Sequence, residues 1–115
     1  MATDKKISLI ITTYNWPQAL DLVLRSLEKQ QDENFEVIIA DDGSKADTAK
    51  LVEAFANRVV FPVKHYWHKD DGFRVAAARN GAVALADGEY LVFIDGDCCL
   101  LPCFVAWHRK LAEEG

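Results

Sequence analysis

The amino-acid sequence predicts a single α/β domain in which helices cover both faces of a mainly parallel sheet. Short apolar, β-branched runs alternate along the chain with segments whose apolar residues recur at helical spacing. No repeat or low-complexity tract interrupts the order β-α-β-α-β-α-β-α. The chain has 115 residues, 50% of them hydrophobic, which is enough for one core over residues 1–115 and too little for two domains.

The first two strands and the helix between them have the clearest patterns. Residues 7–12 (ISLIIT) and 35–40 (FEVIIA) are apolar runs of the kind found in buried parallel strands. Pro17 fits the first turn of the intervening helix, with Asn15 or Trp16 as its cap. The apolar stripe of that helix comprises Leu20, Val23, Leu24 and Leu27.

The middle of the chain continues the alternation. Ser44 or Asp47 is predicted to cap a second helix, which ends near Asn57. Its apolar face comprises Leu51, Val52 and Phe55. Residues 59–66 predict a third strand, and Pro62 places that strand at an edge because proline cannot donate to a central ladder.

The last part of the chain supplies a loop, two helices and a strand. Residues 67–73 predict a polar loop, and residues 74–86 predict a helix. Its inward face is expected to comprise Val75, Ala78, Ala82, Leu85 and Ala86. Residues 90–94 (YLVFI) predict a strand buried on both faces. Pro102 then opens a helix whose apolar stripe comprises Phe104, Trp107 and Leu111.

Two carboxylates follow the last strand, Asp95 and Asp97, with Gly96 between them. Carboxylates this close repel each other unless a cation lies between them or one takes a proton. A hard divalent cation together with a substrate phosphate satisfies both. A polar turn after a strand is the alternative interpretation of the same residues.

Polar residues also follow the first two strands, so parallel topology predicts a shared site at one sheet edge. The residues expected there are Thr13, Tyr14, Asp41, Asp42, Asp95 and Asp97. The aspartates offer hydrogen-bond acceptors and Tyr14 an aromatic face, which suit a nucleotide base and ribose. The pair Asp95 and Asp97 suits a metal with a diphosphate.

Charge and apolar patterning restrict the class of protein. The net charge of −5 and the absence of a Lys/Arg-rich run argue against nucleic-acid binding. A polar amino terminus and the lack of a long apolar stretch predict a cytoplasmic protein without a signal peptide or membrane span. The spacing of Cys98, Cys99 and Cys103 is unlike that of structural zinc sites and predicts reduced thiols.

The motifs ISLIITTYNWP, VIIADDGS and FRVAAARNGAVALADGEYLVFIDGDC, in this order, resemble those of family 2 glycosyltransferases. The resemblance covers almost the whole chain and is to the amino-terminal, nucleotide-sugar-binding half of a Rossmann-like GT-A fold. The FR-x4-RN run before DGDC is most similar to the bacterial enzymes that make polysaccharide and chondroitin-like chains.

This resemblance implies roles for the residues at the nucleotide base. Thr12 and Tyr14 are expected to contact the base, with Tyr14 stacking on it. Asp42 is expected to accept the imide N–H, which favours uracil. Asp41 is expected to support that loop.

The resemblance also implies roles at the diphosphate and the metal. Arg74 or Arg79 is expected near the base or diphosphate, and Asp95 at the ribose or a metal-bound water. Asp97, with Asp95, is expected to bind Mn²⁺ or Mg²⁺. The family transfers a sugar from a nucleotide-sugar, typically a UDP-sugar, to a saccharide or other hydroxyl, usually with inversion.

The resemblance leaves part of the family's machinery without a counterpart. Family catalytic domains are longer, and their catalytic base is a carboxylate that lies after the DxD strand. The sequence is therefore expected to be a truncated domain, and a catalytically incomplete nucleotide-binding fragment is the alternative function. A phosphatase of the haloacid dehalogenase type and a receiver-type signalling domain are further alternatives with acids at strand ends.

Several other residues are given structural interpretations first. His65 and His68 are expected to be partly exposed loop histidines rather than diphosphate contacts. Trp16 is expected to cover the first helix rather than to bind sugar. The two arginines, if not at the site, are expected to pair with Asp70, Asp71 or Asp87.

Overall fold

The computed structural model describes residues 6–72, 74–95 and 100–114, with backbone alone for residues 112–114. Eight elements alternate along it. They are β1 (Ile7–Thr13), α1 (Pro17–Leu27), β2 (Phe35–Asp41), α2 (Ala46–Arg58), β3 (Val63–Trp67), α3 (Val75–Leu85), β4 (Tyr90–Asp95) and α4 (Phe104–Glu114). The predicted order of strands and helices is confirmed.

The four strands form one sheet in the order β3-β2-β1-β4, and all pairings are parallel. β1 lies between β2 and β4, with Ile7 opposite both Phe35 and Tyr90. All seven residues of β2 are buried, as expected for an apolar run in the middle of a sheet. β3 lies at an edge, as Pro62 predicted.

Helices cover both faces of the sheet, again as predicted. On one face the large aliphatic and aromatic side chains of β1 and β2 pack with α1, α2 and the start of α4, including Leu24, Phe55 and Val105. On the other face α3 packs through Ala78 and Ala82. Small residues on α3 allow this close approach: a Cβ at Gly81 would lie 2.1 Å from Cζ of Tyr66.

The environment of β4 differs from the prediction. Val92 and Ile94 are 7% and 6% exposed, but Phe93 on the opposite face is 51% exposed. β4 is an edge strand, and α3 packs mainly on β1, β2 and β3, so the described elements leave Phe93 half-exposed. The expectation that this strand is buried on both faces is wrong for this chain.

Some local predictions were also wrong. Leu85 is 40% exposed, at the end of α3 where the helix leaves the sheet. β3 starts at Val63 rather than at residue 59, and Trp67 belongs to it. Pro62 instead contributes its carbonyl, which accepts from the Val37 N–H at 2.9 Å.

Of the predicted N-cap positions, Trp16 of α1 is confirmed, and Ser44 or Asp47 of α2 is not. The N-cap residues of α1 and α2 are Trp16 and Lys45, and neither makes a side-chain capping hydrogen bond. Asn15 and Ser44, two of the predicted caps, bond to each other's loops instead.

A buried carboxylate ties the amino ends of the strands together. Glu36 has no exposed surface, and its Oε2 accepts from Ser8 Oγ at 2.6 Å and from the Asp87 N–H at 2.7 Å. Lys64 Nζ lies 3.0 Å from Oε1. Burial by itself raises the pKa of Glu36, but these partners outweigh it and hold the pKa below its ordinary value. Glu36 therefore fastens β1, β3 and the α3–β4 turn to β2.

The last helix is only partly packed. Val105 is fully buried and Phe104 lies against the core, but Trp107 and Leu111 are 58% and 52% exposed. Cys103 is a free thiol, as predicted, and Cys98 and Cys99 lie outside the described residues. Across the described ranges, none of the helices is both long enough and apolar enough to cross a membrane.

Candidate functional site

The carboxyl ends of β1, β2 and β4 lie side by side at one edge of the sheet. Thr13 is opposite Asp41 on β2, and Thr12 is opposite Asp95 on β4. The register therefore brings together residues from three distant parts of the sequence. In open α/β sheets this edge is where ligands bind.

A cleft opens between the loops that follow β1 and β2. It has a volume of about 160 Å³ and is lined by Thr12, Thr13, Tyr14, Trp16, Ala40, Asp42 and Val75. A second cleft of about 250 Å³ adjoins it and is lined by Tyr14, Asp42, Asp70, Gly72 and Val75. Trp16 is 56% exposed and forms part of the first cleft, so it is more than a cover for α1.

Asp41 faces inward from this edge. It is 1% exposed, its Oδ1 accepts from the Ser44 N–H at 2.8 Å, and its Oδ2 lies 2.8 Å from Nε2 of His65. Burial by itself raises the pKa of Asp41, but the hydrogen bonds from His65 and Ser44 outweigh it and hold the pKa below its ordinary value. Asp41 does not line either cleft, and its contacts support the loop after β2.

Asp42 lines both clefts although it is only 3% exposed. Its Oδ1 lies 2.5 Å from Nε2 of His68, and its Oδ2 accepts from the Arg74 N–H at 2.8 Å. Each carboxylate oxygen can accept more than one hydrogen bond, so Asp42 retains acceptor capacity towards the clefts.

The two histidines have partners that the sequence interpretation did not identify. His65 lies on β3 and His68 directly follows it; their side chains are 20% and 13% exposed, and each binds one of the paired carboxylates. His68 is the partly exposed loop histidine that the sequence predicts, whereas His65 belongs to a strand. Parallel pairing of β3 with β2 places Trp67 opposite Asp41, and this register brings the histidines to the acids. Their sequence spacing alone gave no signal of it.

The loops after β1 and β2 are joined by reciprocal hydrogen bonds. The Asn15 N–H donates to Ser44 Oγ, and the Lys45 N–H donates to Asn15 Oδ1, both at 2.8 Å. Trp67 Nε1 donates to the Ser44 carbonyl at 2.9 Å. Asn15 has a φ of 46°, in the left-handed region that asparagine tolerates better than most residues. These bonds fix the backbone next to Tyr14.

Tyr14 lines both clefts. Its side chain is 47% exposed, and its hydroxyl donates to Asp70 Oδ2 at 2.7 Å. This hydrogen bond to a carboxylate raises the pKa of Tyr14, since losing the phenolic proton would break it.

The arginines differ in what they contribute. Arg74 offers its backbone N–H to Asp42, and its side chain is exposed. Arg79 places a guanidinium nitrogen 3.7 Å from Asp95 Oδ1, while its buried Nε has no hydrogen-bond partner among the described residues. In the described part of the chain Arg79 pairs with Asp95 rather than with the alternative partners, which were Asp70, Asp71 and Asp87.

The predicted metal ligands are described only in part. Asp95 ends β4 with its side chain 68% exposed, and Asp97 lies outside the described residues. Within the described ranges no group of three or more His, Cys, Asp or Glu side chains is arranged to hold a metal ion. The carboxylate of Asp95 is a hard oxygen donor of the kind Mn²⁺ and Mg²⁺ accept.

Comparison with known proteins gives consistent matches. The sequence model of the family described as "Glycosyl transferase family 2" matches residues 8–114. The chain is 38% identical over 101 residues to validoxylamine A glucosyltransferase of Streptomyces hygroscopicus subsp. jinggangensis (strain 5008), covering 86% of this chain and 24% of that protein. It is 34% identical over 108 residues to hyaluronan synthase of Pasteurella multocida, covering 93% and 11%.

Solved structures agree with the sequence matches. TarS (1–349) of S. aureus, in complex with UDP-GlcNAc, superposes with a TM-score of 0.83 at 30% identity, over 95% of this chain and 31% of that one. Glucosyl-3-phosphoglycerate synthase of Mycobacterium tuberculosis, in complex with Mn²⁺, UDP and glucosyl-3-phosphoglycerate, superposes with a TM-score of 0.64 at 26% identity, over 90% and 38%. The chain thus spans between 11% and 38% of the proteins named here.

Proposed function

This chain belongs to glycosyl transferase family 2, and on that premise we propose that it binds a nucleotide-diphospho-sugar donor, a UDP-sugar first of all. The predicted resemblance and the Rossmann-like GT-A fold are both confirmed by the matches. Because the chain belongs to this family, the phosphatase and receiver-domain interpretations no longer apply. The observation that most supports donor binding is the cleft at the carboxyl edge of the sheet, which is lined by both Asp42 and Tyr14.

The base is proposed to lie in this cleft. Uracil presents an imide N–H, and the retained acceptor capacity of Asp42 suits that donor. The ring of Tyr14 offers a face for stacking, a contact worth about 1–3 kcal/mol per base in nucleic-acid complexes. Thr12 is a further residue with a hydroxyl in the lining of the cleft. Asp41 supports the site indirectly, because it accepts from the Ser44 N–H in the loop that follows Asp42.

The diphosphate is proposed to lie between α3 and the end of β4. Arg79 pairs with Asp95, and Arg74 lies at the start of α3, where its backbone N–H donates to Asp42. Asp95 and Asp97 would hold a divalent cation, Mn²⁺ or Mg²⁺. When bound, that cation supplies Lewis-acid stabilisation of the departing nucleoside diphosphate.

The full transfer reaction is proposed for the longer protein of which this region would be a part. The acceptor would be a saccharide or another hydroxyl compound, and an inverting reaction needs a general base on that hydroxyl. Among residues 100–111, whose side chains the structure describes beyond β4, there is no carboxylate. A cytoplasmic location stays a prediction from the sequence.

A second candidate is a nucleotide-binding unit that does not catalyse transfer by itself. The exposed face of β4 at Phe93 and the exposed Trp107 and Leu111 of α4 favour it, since large apolar side chains in such positions usually have a covering partner. Sugar transfer by this chain compared with a longer form of the same protein distinguishes the two candidates.

Calorimetric titration with UDP, with and without Mn²⁺, tests donor binding directly. We expect binding that Asp42→Ala weakens and that Asp97→Ala makes independent of Mn²⁺. Glu53→Gln, an exposed carboxylate on α2, is the matched control and should bind as the unaltered chain does. CDP should bind more weakly than UDP, because cytosine lacks the imide N–H. A folded chain that does not bind UDP, or that binds CDP equally well, would contradict the proposed base site.

A further inference from the structure

The loop between β3 and α3, residues 68–72, reaches both residues proposed to recognise the base. His68 at its start contacts Asp42, and Asp70 at its centre contacts Tyr14. Neither His68 nor Asp70 has a role in the proposed function so far. Two side chains of one loop therefore each bind a different residue that lines the proposed base cleft, and this arrangement needs an explanation.

The contact with Asp42 defines how that carboxylate is presented. An ionised carboxylate only accepts hydrogen bonds, so His68 must donate from Nε2. Asp42 is then held on one oxygen by His68 at 2.5 Å and on the other by the Arg74 N–H at 2.8 Å. Two donors from opposite sides fix the plane of the carboxylate and leave its remaining lone pairs for a ligand.

The contact with Tyr14 defines the orientation of the ring. A tyrosine side chain that is 47% exposed has few packing contacts to select one rotamer. The backbone after it is fixed by the Asn15–Ser44 bonds, and Asp70 binds the hydroxyl at the far end of the side chain at 2.7 Å. With both ends held, the ring keeps its place in the lining of the two clefts.

The 68–72 loop packs closely against the loop that follows β2. Gly43 has a φ of +95°, and a Cβ there would lie 2.5 Å from both Cα and N of Asp70. The loop backbone therefore packs directly on the residue after Asp42, which only glycine permits. This contact sets the distance between Asp70 and the base cleft.

We propose that Asp70 and His68 are positioning residues for nucleotide binding: Asp70 holds the Tyr14 ring and His68 holds the Asp42 carboxylate in the arrangement that recognises the base. This inference rests on the proposed function, since it assigns these side chains to the same base site.

A double-mutant cycle between Asp70 and Tyr14 tests the first half, with UDP as the probe in the presence of Mn²⁺. Asp70→Ala should bind UDP more weakly by up to about 10-fold, a limit set by the net worth of one hydrogen bond, because this bond also forms without nucleotide. Asp70→Asn keeps an acceptor and should bind close to the unaltered chain. In the Tyr14→Phe background, which keeps the ring but lacks the hydroxyl, Asp70→Ala should have no further effect.

The charge change provides an internal control. Removing a negative charge near an anionic ligand by itself strengthens binding, so weaker binding of Asp70→Ala opposes the electrostatic trend. Asp71→Ala removes the same charge one residue away, from an exposed side chain without a hydrogen bond or ion pair in the described part of the chain. It should bind UDP equally well or slightly better.

For His68, discrimination between UDP and CDP is the readout. His68→Ala should reduce the preference for UDP, and His68→Gln, whose amide can still donate to Asp42, should retain more of it. Unchanged discrimination in His68→Ala would refute this half. Unchanged affinity in Asp70→Ala, or an equal loss in the Tyr14→Phe background, would refute the other half. Failure of the unaltered folded chain to bind UDP would instead overturn the proposed function itself.

Discussion

Asp41→Ala is the substitution that best separates support of the site from contact with a ligand. Asp41 is 1% exposed, accepts from the Ser44 N–H, and pairs with His65. Alanine removes both contacts and leaves the Ser44 N–H without its acceptor. Hydrogen bonds to a charged group are worth about 1.5–3 kcal/mol each. Because desolvation of the carboxylate is also relieved, we expect a loss of about 2–4 kcal/mol in the free energy of unfolding.

Urea denaturation measures this loss. With a denaturant dependence of about 1–3 kcal/mol per molar for small domains, the midpoint should fall by roughly 1–3 M, with an unchanged slope. UDP affinity should fall as well, since Ser44 anchors Asn15 and thereby the backbone of Tyr14. Asp41→Asn keeps an acceptor for the Ser44 N–H, and should lose less stability than Asp41→Ala.

The pH dependence of stability supplies a second test of the same contacts. The pKa of Asp41 is depressed in the folded chain, so its contribution is fully present above the ordinary aspartate range near about 4 and is lost as the pH falls through the folded value. Asp41→Ala should therefore lose less stability than the unaltered chain when the pH is lowered through that window. Equal acid sensitivity, or a midpoint unchanged by Asp41→Ala, would refute the assigned role.

Three further predictions concern separate parts of the molecule. Glu36→Ala should lower the free energy of unfolding by about 3–5 kcal/mol in urea denaturation, because it leaves buried partners uncompensated; a loss below that of an exposed carboxylate variant would contradict this. Asp70→Ala should bring the pKa of Tyr14 down towards its ordinary value in ultraviolet absorbance titration, and an unchanged titration would show that the hydrogen bond is absent in solution. Gly81→Ala should cost about 1–3 kcal/mol despite better helix propensity, because its Cβ would overlap the Tyr66 ring; a gain in thermal stability would show that the ring moves freely.

The alternation of elements was predictable because periodicity is a local property. The runs at 7–12 and 35–40 have no helical spacing, and the stripe beginning at Leu20 has no strand spacing, so each segment indicated its own structure. The common edge for Asp41, Asp42 and Asp95 followed from the parallel topology that this alternation requires.

What failed depended on neighbours that are distant in sequence. The local pattern of β4 is apolar throughout, and whether both faces are buried depends on which elements cover it. Leu85 fits the stripe of α3 but lies beyond the sheet that the stripe packs on. Asn15 and Ser44 were predicted as possible caps of the helices that follow them. Instead the side chain of each accepts a hydrogen bond from the other loop.

The sequence by itself determined the fold class, the family and the sheet edge at which the acidic residues gather. The spacing of apolar residues and the order of the motifs can both be observed in the sequence without knowledge of the tertiary structure. Only the tertiary structure decided how those residues are held. The register of β3 against β2 brought His65 and His68 to the paired aspartates. The packing of the 68–72 loop against Gly43 brought Asp70 to Tyr14. Such contacts join residues more than twenty positions apart. Their formation depends on strand register and loop packing, which local pattern does not specify.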